Sequence, residues 1–126
     1  MKLDILAFGA HPDDVELSAA GTLLNQIELG HKVGIIDLTR GELGTRGSAE
    51  IRDQEAAAAA EIMGIHAREN LELADGHFED NTESRLEVIR MLRKYQPDIV
   101  LANAIKDRHP DHGRGAKMVA ESCFLA

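Results

Sequence analysis

The sequence predicts an α/β fold: an open, parallel, doubly wound sheet with helices on both faces, three layers deep. Two observations predict it. Short apolar runs suited to buried strands alternate along the chain with longer segments of helical pattern. The first two runs, joined by one helical segment, fit inside residues 3–38. A crossover of that size implies parallel strands and a right-handed connection.

Leu3 to Phe8 reads as the first strand. Val15 to Leu29 reads as the first helix, with Leu17, Leu24 and Ile27 as its apolar stripe and Gly30 just past its end. Lys32 to Leu38 is the second strand. Thr39 to Ser48 holds three glycines and two arginines and is expected to form a mobile, charged loop. Ser48 is the expected N-cap of a helix over Glu50 to Met63, in which Ala56–Ala60 offer a close-packing face and Gly64 ends the run. Arg68 to Leu73 reads as the third strand, and Asp75-Gly76 turns the chain. Asn81 or Thr82 caps a helix that runs to about Tyr95 and stops before Pro97. Asp98 to Asn103 is the fourth strand, and Pro110 or Asp111 opens the last helix. That helical pattern reaches Ala126 without a Gly, Pro or polar cap. The stretch is therefore expected to be the N-terminal part of a longer domain.

The totals narrow the function. The 126 residues suffice for one domain with a modest core. A net charge of −8, with Lys and Arg scattered, lacks the basic patch of a nucleic-acid footprint. Aromatic residues make up 3% of the chain, too few for base-stacking platforms. No apolar run approaches the ~20 residues of a membrane span, and Asp4 interrupts any signal-peptide core. The single Cys123 cannot form an internal disulfide and reads as a small buried hydrophobe. A cytoplasmic location is the default, with no nucleic-acid or membrane partner.

The chemistry concentrates at two strand-to-helix junctions. Gly9-Ala10-His11-Pro12-Asp13-Asp14-Val15-Glu16 follows the first strand, and Arg108-His109-Pro110-Asp111-His112 follows the fourth. Pro and Asp at a helix start are ordinary, because Pro lacks the orphan N–H and carboxylates suit the positive helix end. They do not account for the histidines: three of the chain's six lie in these two turns. In the common doubly wound order, strands 1, 2 and 3 walk outward and strand 4 returns beside strand 1. The crevice then opens outside the carboxyl ends of strands 1 and 4, where both turns lie. One metal ion held between them is the expectation. A dinucleotide site is the alternative for the first turn, with Asp37 in the place of a ribose-binding acid. The Gly-x-Gly-x-x-Gly spacing is absent, however, and Asp13 and Asp14 would repel a pyrophosphate.

These residues resemble the LmbE/PIG-L-type zinc-dependent N-deacetylases. The resemblance runs along nearly the whole chain and is sharpest at Ala10–Glu16 and Asp107–His112. Leu38–Gly47 and Ile51-Arg52 resemble the subgroup that deacetylates N-acetylglucosaminyl-malate in bacillithiol synthesis. The resemblance implies a Rossmann-like fold with His11, Asp14 and His112 as zinc ligands and Asp13 as general base. It implies that His109 stabilises the tetrahedral intermediate or protonates the amine, with Asp111 beside it, and that Arg52 contacts the substrate. Family members continue well past the position of Ala126. Residues 1–126 would thus be the N-terminal part of a single deacetylase domain, and the full-length form is expected to be a homo-oligomer.

Two imidazoles and one carboxylate leave a metal ion with open positions, the pattern of catalytic Zn2+. The same set suits Fe2+ in oxygenases. Such an ion lowers the pKa of a bound water toward neutrality, and Asp13 is free to take the proton. Asp111 is expected to favour an imidazolium at His109, which would add charge at the oxyanion. The expected function is a hydrolase that removes the acetyl group of an N-acetylglucosamine conjugate, giving acetate and a free amine. A metal- or sugar-binding module without turnover, a truncated inactive fragment and a metal-dependent oxygenase are the alternatives. Arg46 and Glu42 are secondary candidates. Asp75 and Asp80 read as turn aspartates or sugar contacts, and His31, His66 and His77 as surface or loop residues.

Overall fold

The computed structural model describes residues 1–126. Its elements are β1 (Ile5–Gly9), α1 (Asp14–Glu28), β2 (Val33–Thr39), α2 (Ala49–Met63), β3 (Ala67–Leu73), α3 (Thr82–Tyr95), β4 (Ile99–Leu101) and α4 (Pro110–Leu125). All strand pairs are parallel, in the order β3-β2-β1-β4. This is the predicted walk outward and return. It places the ends of β1 and β4 side by side, with Ala7 opposite Leu101.

The alternation of side chains along the central strands sorts the core into two halves. Ile5, Ala7, Val33 and Ile35 face α1 and pack with Val15 and Leu23. Leu6, Phe8, Ile36 and Leu38 face the other way and pack with Val88, Leu92, Met118 and Val119 of α3 and α4. Helices therefore cover both faces, and β1 and β2 are buried along their whole length. Such doubly covered strands read as continuous apolar runs.

Local signals set the helix ends. The Ser48 hydroxyl accepts the Ile51 N–H, and the Asn81 side chain accepts the Ser84 N–H. Gly64 closes α2 in the left-handed conformation (φ 74°) that glycine adopts without a Cβ penalty. Two expectations differ from what is found. Of the expected stripe of α1, Ile27 packs on the sheet but Leu17 and Leu24 do not. Leu17 is 83% exposed, and the sheet-facing residues are Val15, Ala19, Leu23 and Ile27, at a strict spacing of four. The turn before α1 commits Asp14 to the crevice, and the rotation of the helix follows from that anchor. The alanine run of α2 is also only partly covered, and α2 has no fully buried residue.

β2 carries a buried charge, Asp37, on its length. Arg68 of β3 meets it with a two-pronged bond, Nε to Oδ2 at 2.8 Å and Nη2 to Oδ1 at 3.0 Å, and reaches Glu16 of α1 at 3.0 Å. Asp37 is thus bound within the protein rather than turned toward a ribose. The pairing fixes the start of α1 against the sheet. A buried charge without such a partner would cost several kcal/mol.

Candidate metal centre

The two His-Pro-Asp turns meet over the carboxyl ends of β1 and β4. Three imidazoles cluster there, with ring centroids 4.7 Å (His11–His109), 5.0 Å (His109–His112) and 5.5 Å (His11–His112) apart. Asp14 lies between two of them: its Oδ2 is 3.5 Å from His11 Nδ1 and 3.1 Å from His112 Nε2. Donors about 2.0 Å from a tetrahedral zinc stand about 3.3 Å apart, so these separations fit one ion. The far nitrogens of both rings are held by carboxylates. His11 Nε2 lies 2.9 Å from Asp111 Oδ2 and 3.0 Å from Asp75 Oδ1, and His112 Nδ1 lies 3.0 Å from Asp107 Oδ2. Carboxylates behind ligating histidines fix the tautomer and turn the other nitrogen toward the metal. His11, Asp14 and His112 thus present one ligand atom each, within 4.8 Å of one another. His11, His109 and Asp111 form a second such group.

The electrostatics follow from this crowding. Burial opposes charge on His11, but Asp14, Asp111 and Asp75 outweigh it and push the imidazole up to about 9. Burial would also raise Asp14 and Asp111. Bonds from His11 to Asp14, and from the Gly76 N–H and His11 to Asp111, hold both carboxyls below the ordinary range. Asp13 behaves oppposite to its neighbour: burial raises it, and Arg52 only partly offsets this.

Asp13 is set apart in conformation as well. Its backbone is at φ 124°, and its side chain makes no capping bond to α1. Such geometry in a non-glycine residue costs about 1–3 kcal/mol and persists only where the surroundings impose it. Arg52 supplies part of that restraint. Its Nη2 donates to the Pro12 carbonyl at 2.7 Å and its Nη1 to the Gly41 carbonyl at 3.2 Å, and it lies 3.5 Å from Asp13 Oδ1. Gly41 has φ 65°, and a Cβ there would fall 2.1 Å from Arg52 Nη1, so the loop can pass this close only as glycine. The expected solvated or substrate-facing arginine is therefore also a brace between the loop and the first turn.

His109 caps α4. Its Nδ1 accepts the Asp111 backbone N–H at 3.1 Å, which requires that nitrogen to be unprotonated and leaves Nε2 to carry the proton. Asp111 acts on His109 through space rather than by a hydrogen bond to its ring. The Asp111 carboxylate is buried and bonds His11, the Gly76 N–H and Arg114, not the His109 ring. The roles of two further residues escaped the sequence reading. Asp75, read from the sequence as a turn aspartate or sugar contact, instead backs His11. Asn103, just past β4, accepts the Ala10 N–H at 2.9 Å and approaches Asp14 Oδ2 at 3.3 Å through its amide nitrogen. Its position at the switch point was the only available signal. His66 is not idle either: its Nδ1 accepts the Val33 N–H at 3.1 Å. A cleft of about 370 Å³ opens on the site, lined by His11, Asp13, Asp14, Arg52, His109 and His112 together with Leu43, Gly44, Asp75, Gly76 and Arg108.

A doubly wound sheet with two histidines and an aspartate converging at its switch point defines an α/β protein with a group of side chains that could hold a metal ion. The chain belongs to the PIG-L family, described as GlcNAc-PI de-N-acetylase, which matches residues 6–123. It is 30% identical to the diacetylchitobiose deacetylase of Thermococcus kodakarensis over 97% of this chain and 49% of that protein. It is 29% identical to the probable N-acetyl-α-D-glucosaminyl L-malate deacetylase 2 of Bacillus anthracis over 94% of this chain and 58% of that protein. The 4-oxalmesaconate hydratase of Pseudomonas putida is 26% identical over 96% of this chain and 52% of its own length, so the family fold also serves a different reaction. Among solved structures, the conserved protein TT1542 of Thermus thermophilus superposes with a TM-score of 0.92 at 41% identity, over 98% of this chain and 56% of its own. The chain spans about half the length of the curated relatives it matches. No helix is long and apolar enough to cross a membrane.

Proposed function

We propose that the chain forms the metal-binding, catalytic part of an N-deacetylase acting on an N-acetylglucosamine conjugate, with N-acetylglucosaminyl-malate as substrate. One observation carries this reading: His11 Nδ1 and His112 Nε2 face Asp14 Oδ2 while carboxylates hold their far nitrogens. Resemblance along Leu38–Gly47 and the Bacillus anthracis relative support the choice of substrate. His11, Asp14 and His112 would hold Zn2+, with Fe2+ also suited to the set. The ion would supply a Lewis acid for the acetamide carbonyl and acidify a water.

The chain's own groups do the rest. Asp13, free of any cap bond and raised by burial, accepts the proton of the attacking water. His109 donates a hydrogen bond from Nε2 to the developing oxyanion, and the proton taken up by Asp13 passes to the departing amine nitrogen. Asp111 and Asp75 keep the His11 ring in place. Arg52 uses two of its five N–H groups on Pro12 and Gly41 and has the others for a substrate carboxylate or hydroxyl. The amide C–N bond breaks, giving acetate and a free amine. The protein works on a small molecule in the cytoplasm, as a homo-oligomer.

The test is acetate release from N-acetylglucosaminyl-malate by the protein loaded with Zn2+ or with Fe2+. Acetate that appears with metal and stops on chelation supports the reading. Metal uptake without acetate points to a binding module, and dioxygen consumption with Fe2+ to an oxygenase; either overturns it.

A further inference from the structure

Asp75 sits between the metal centre and the loop that lines it, and every polar atom it presents to them is used. Its Oδ1 faces His11 Nε2 at 3.0 Å, and its Oδ2 accepts the Leu43 N–H at 2.9 Å. Its own backbone N–H donates to Glu42 Oε2 at 2.9 Å. The residue is buried, 7% exposed. Glu42 and Leu43 belong to the loop between β2 and α2, which also meets Arg52 at the Gly41 carbonyl. The loop and the His11 ring thus share one carboxylate.

We propose that Asp75 is a positioning residue that couples the orientation of the His11 imidazole to the seating of the Glu42–Gly44 segment over the cleft. The inference rests on the metal centre proposed above. A carboxylate offers one rigid plane with two oxygens. If Leu43 leaves, the plane is free to rotate and the His11 Nε2 bond loosens; if His11 turns, the Leu43 bond loosens in the same way. Asp111 also bonds His11 Nε2, so the ring is not lost when Asp75 moves, only less well aimed. Coupling of this kind is reciprocal. An ion that fixes His11 will seat the loop, and a loosened loop will weaken the ion. Because Leu43 and Gly44 line the cleft, the arrangement lets the metal-bearing form present a formed wall to the substrate.

The experiment measures Zn2+ affinity by competition with a chromophoric chelator, and amide hydrogen exchange across residues 41–47, in the wild type, Asp75→Ala and Glu42→Ala. The expected result is a 10–100-fold loss of Zn2+ affinity for Asp75→Ala, the range for lost carboxylates behind ligating histidines, with faster exchange at Leu43. Glu42→Ala touches neither His11 nor an ion. It is expected to speed exchange in the loop and to weaken Zn2+ by several-fold. In the wild type, Zn2+ is expected to slow Leu43 exchange. Should Asp75→Ala fail to fold, Asp75→Asn replaces it. A carboxamide has one acceptor oxygen, which serves His11 or Leu43 but not both, so either Zn2+ affinity or Leu43 protection must fall. Wild-type Zn2+ binding with both variants within twofold overturns the coupling alone. A wild type that takes up no Zn2+ overturns the metal centre and the coupling together.

Discussion

The two turns that build the site share the letters His-Pro-Asp and use them differently. In the first, Pro12 precedes the helix, Asp13 stands at the N-cap position and α1 starts at Asp14. In the second, His109 is the N-cap, Pro110 is the first helical residue and Asp111 lies inside the helix. The same tripeptide is displaced by two positions against the helix frame. The consequence is a division of labour. Asp111 lies in the first turn of α4, where it is buried and bound by three donors. Asp13 stays outside α1, 55% exposed at its side chain and free of capping duty. The aspartate of the second turn is built in as support, and that of the first is left in a strained backbone with Arg52 3.5 Å away. Identity of letters is a poor guide to role here; the helix register decides it.

The widest separation between the two turns should appear in turnover. Asp13→Asn is expected to keep the ion and the fold but lower kcat by about 10²–10⁴-fold, the range for loss of a general base. Asp14→Ala should lose the ion itself. Metal content measured beside kcat separates the two, and Asp13→Asn with near-normal kcat would break the contrast. The next effect belongs to the second turn. Asp111→Ala removes one carboxylate behind His11 and should weaken Zn2+ by about 10–100-fold, whereas Asp13→Asn should leave Zn2+ affinity unchanged. Equal Zn2+ affinities for the two variants would show that the register argument is wrong.

A smaller effect sharpens the comparison in stability. Asp13→Gly relieves a backbone held at φ 124°. Relief of about 1–3 kcal/mol is partly offset by the extra entropy glycine loses on folding, about 0.5–1 kcal/mol. The variant should be more stable by about 1 kcal/mol in urea titration and inactive. A less stable Asp13→Gly would mean that the residue contributes contacts beyond those to Arg52.

Much of this was legible in the sequence, for identifiable reasons. The strand order follows from short apolar runs and crossover rules, and from it the meeting of the two turns. Ser48 and Asn81 cap as their chemistry suggests. The residues behind the ligands were harder to see. Asp75 is 64 positions from His11 in sequence, and its Asp-Gly pair has a sufficient local explanation as a turn. Asn103 carries no motif at all. The rotation of α1 is not legible in the sequence because Leu17 and Leu24 are as apolar as Val15 and Leu23. In the fold, Asp14 faces the crevice and Glu16 bonds Arg68, and with the helix so turned Val15 and Leu23 meet the sheet.

The smallest effect lies at His109, where support and chemistry fall on one ring. Its Nδ1 accepts the Asp111 N–H, and its Nε2 faces the other way as a donor. Asparagine is among the best N-caps, because its side-chain oxygen reaches the same early N–H groups. It has no donor at the place of Nε2. His109→Asn should therefore keep the stability of α4 while lowering kcat, whereas His109→Ala should lower kcat and also destabilise the protein by about 0.5 kcal/mol, the low end for a lost cap. The two variants differ only in the cap. Their difference in unfolding free energy isolates the structural half of the residue, and their shared loss of turnover isolates the chemical half. A full return of activity in His109→Asn would assign His109 to capping alone.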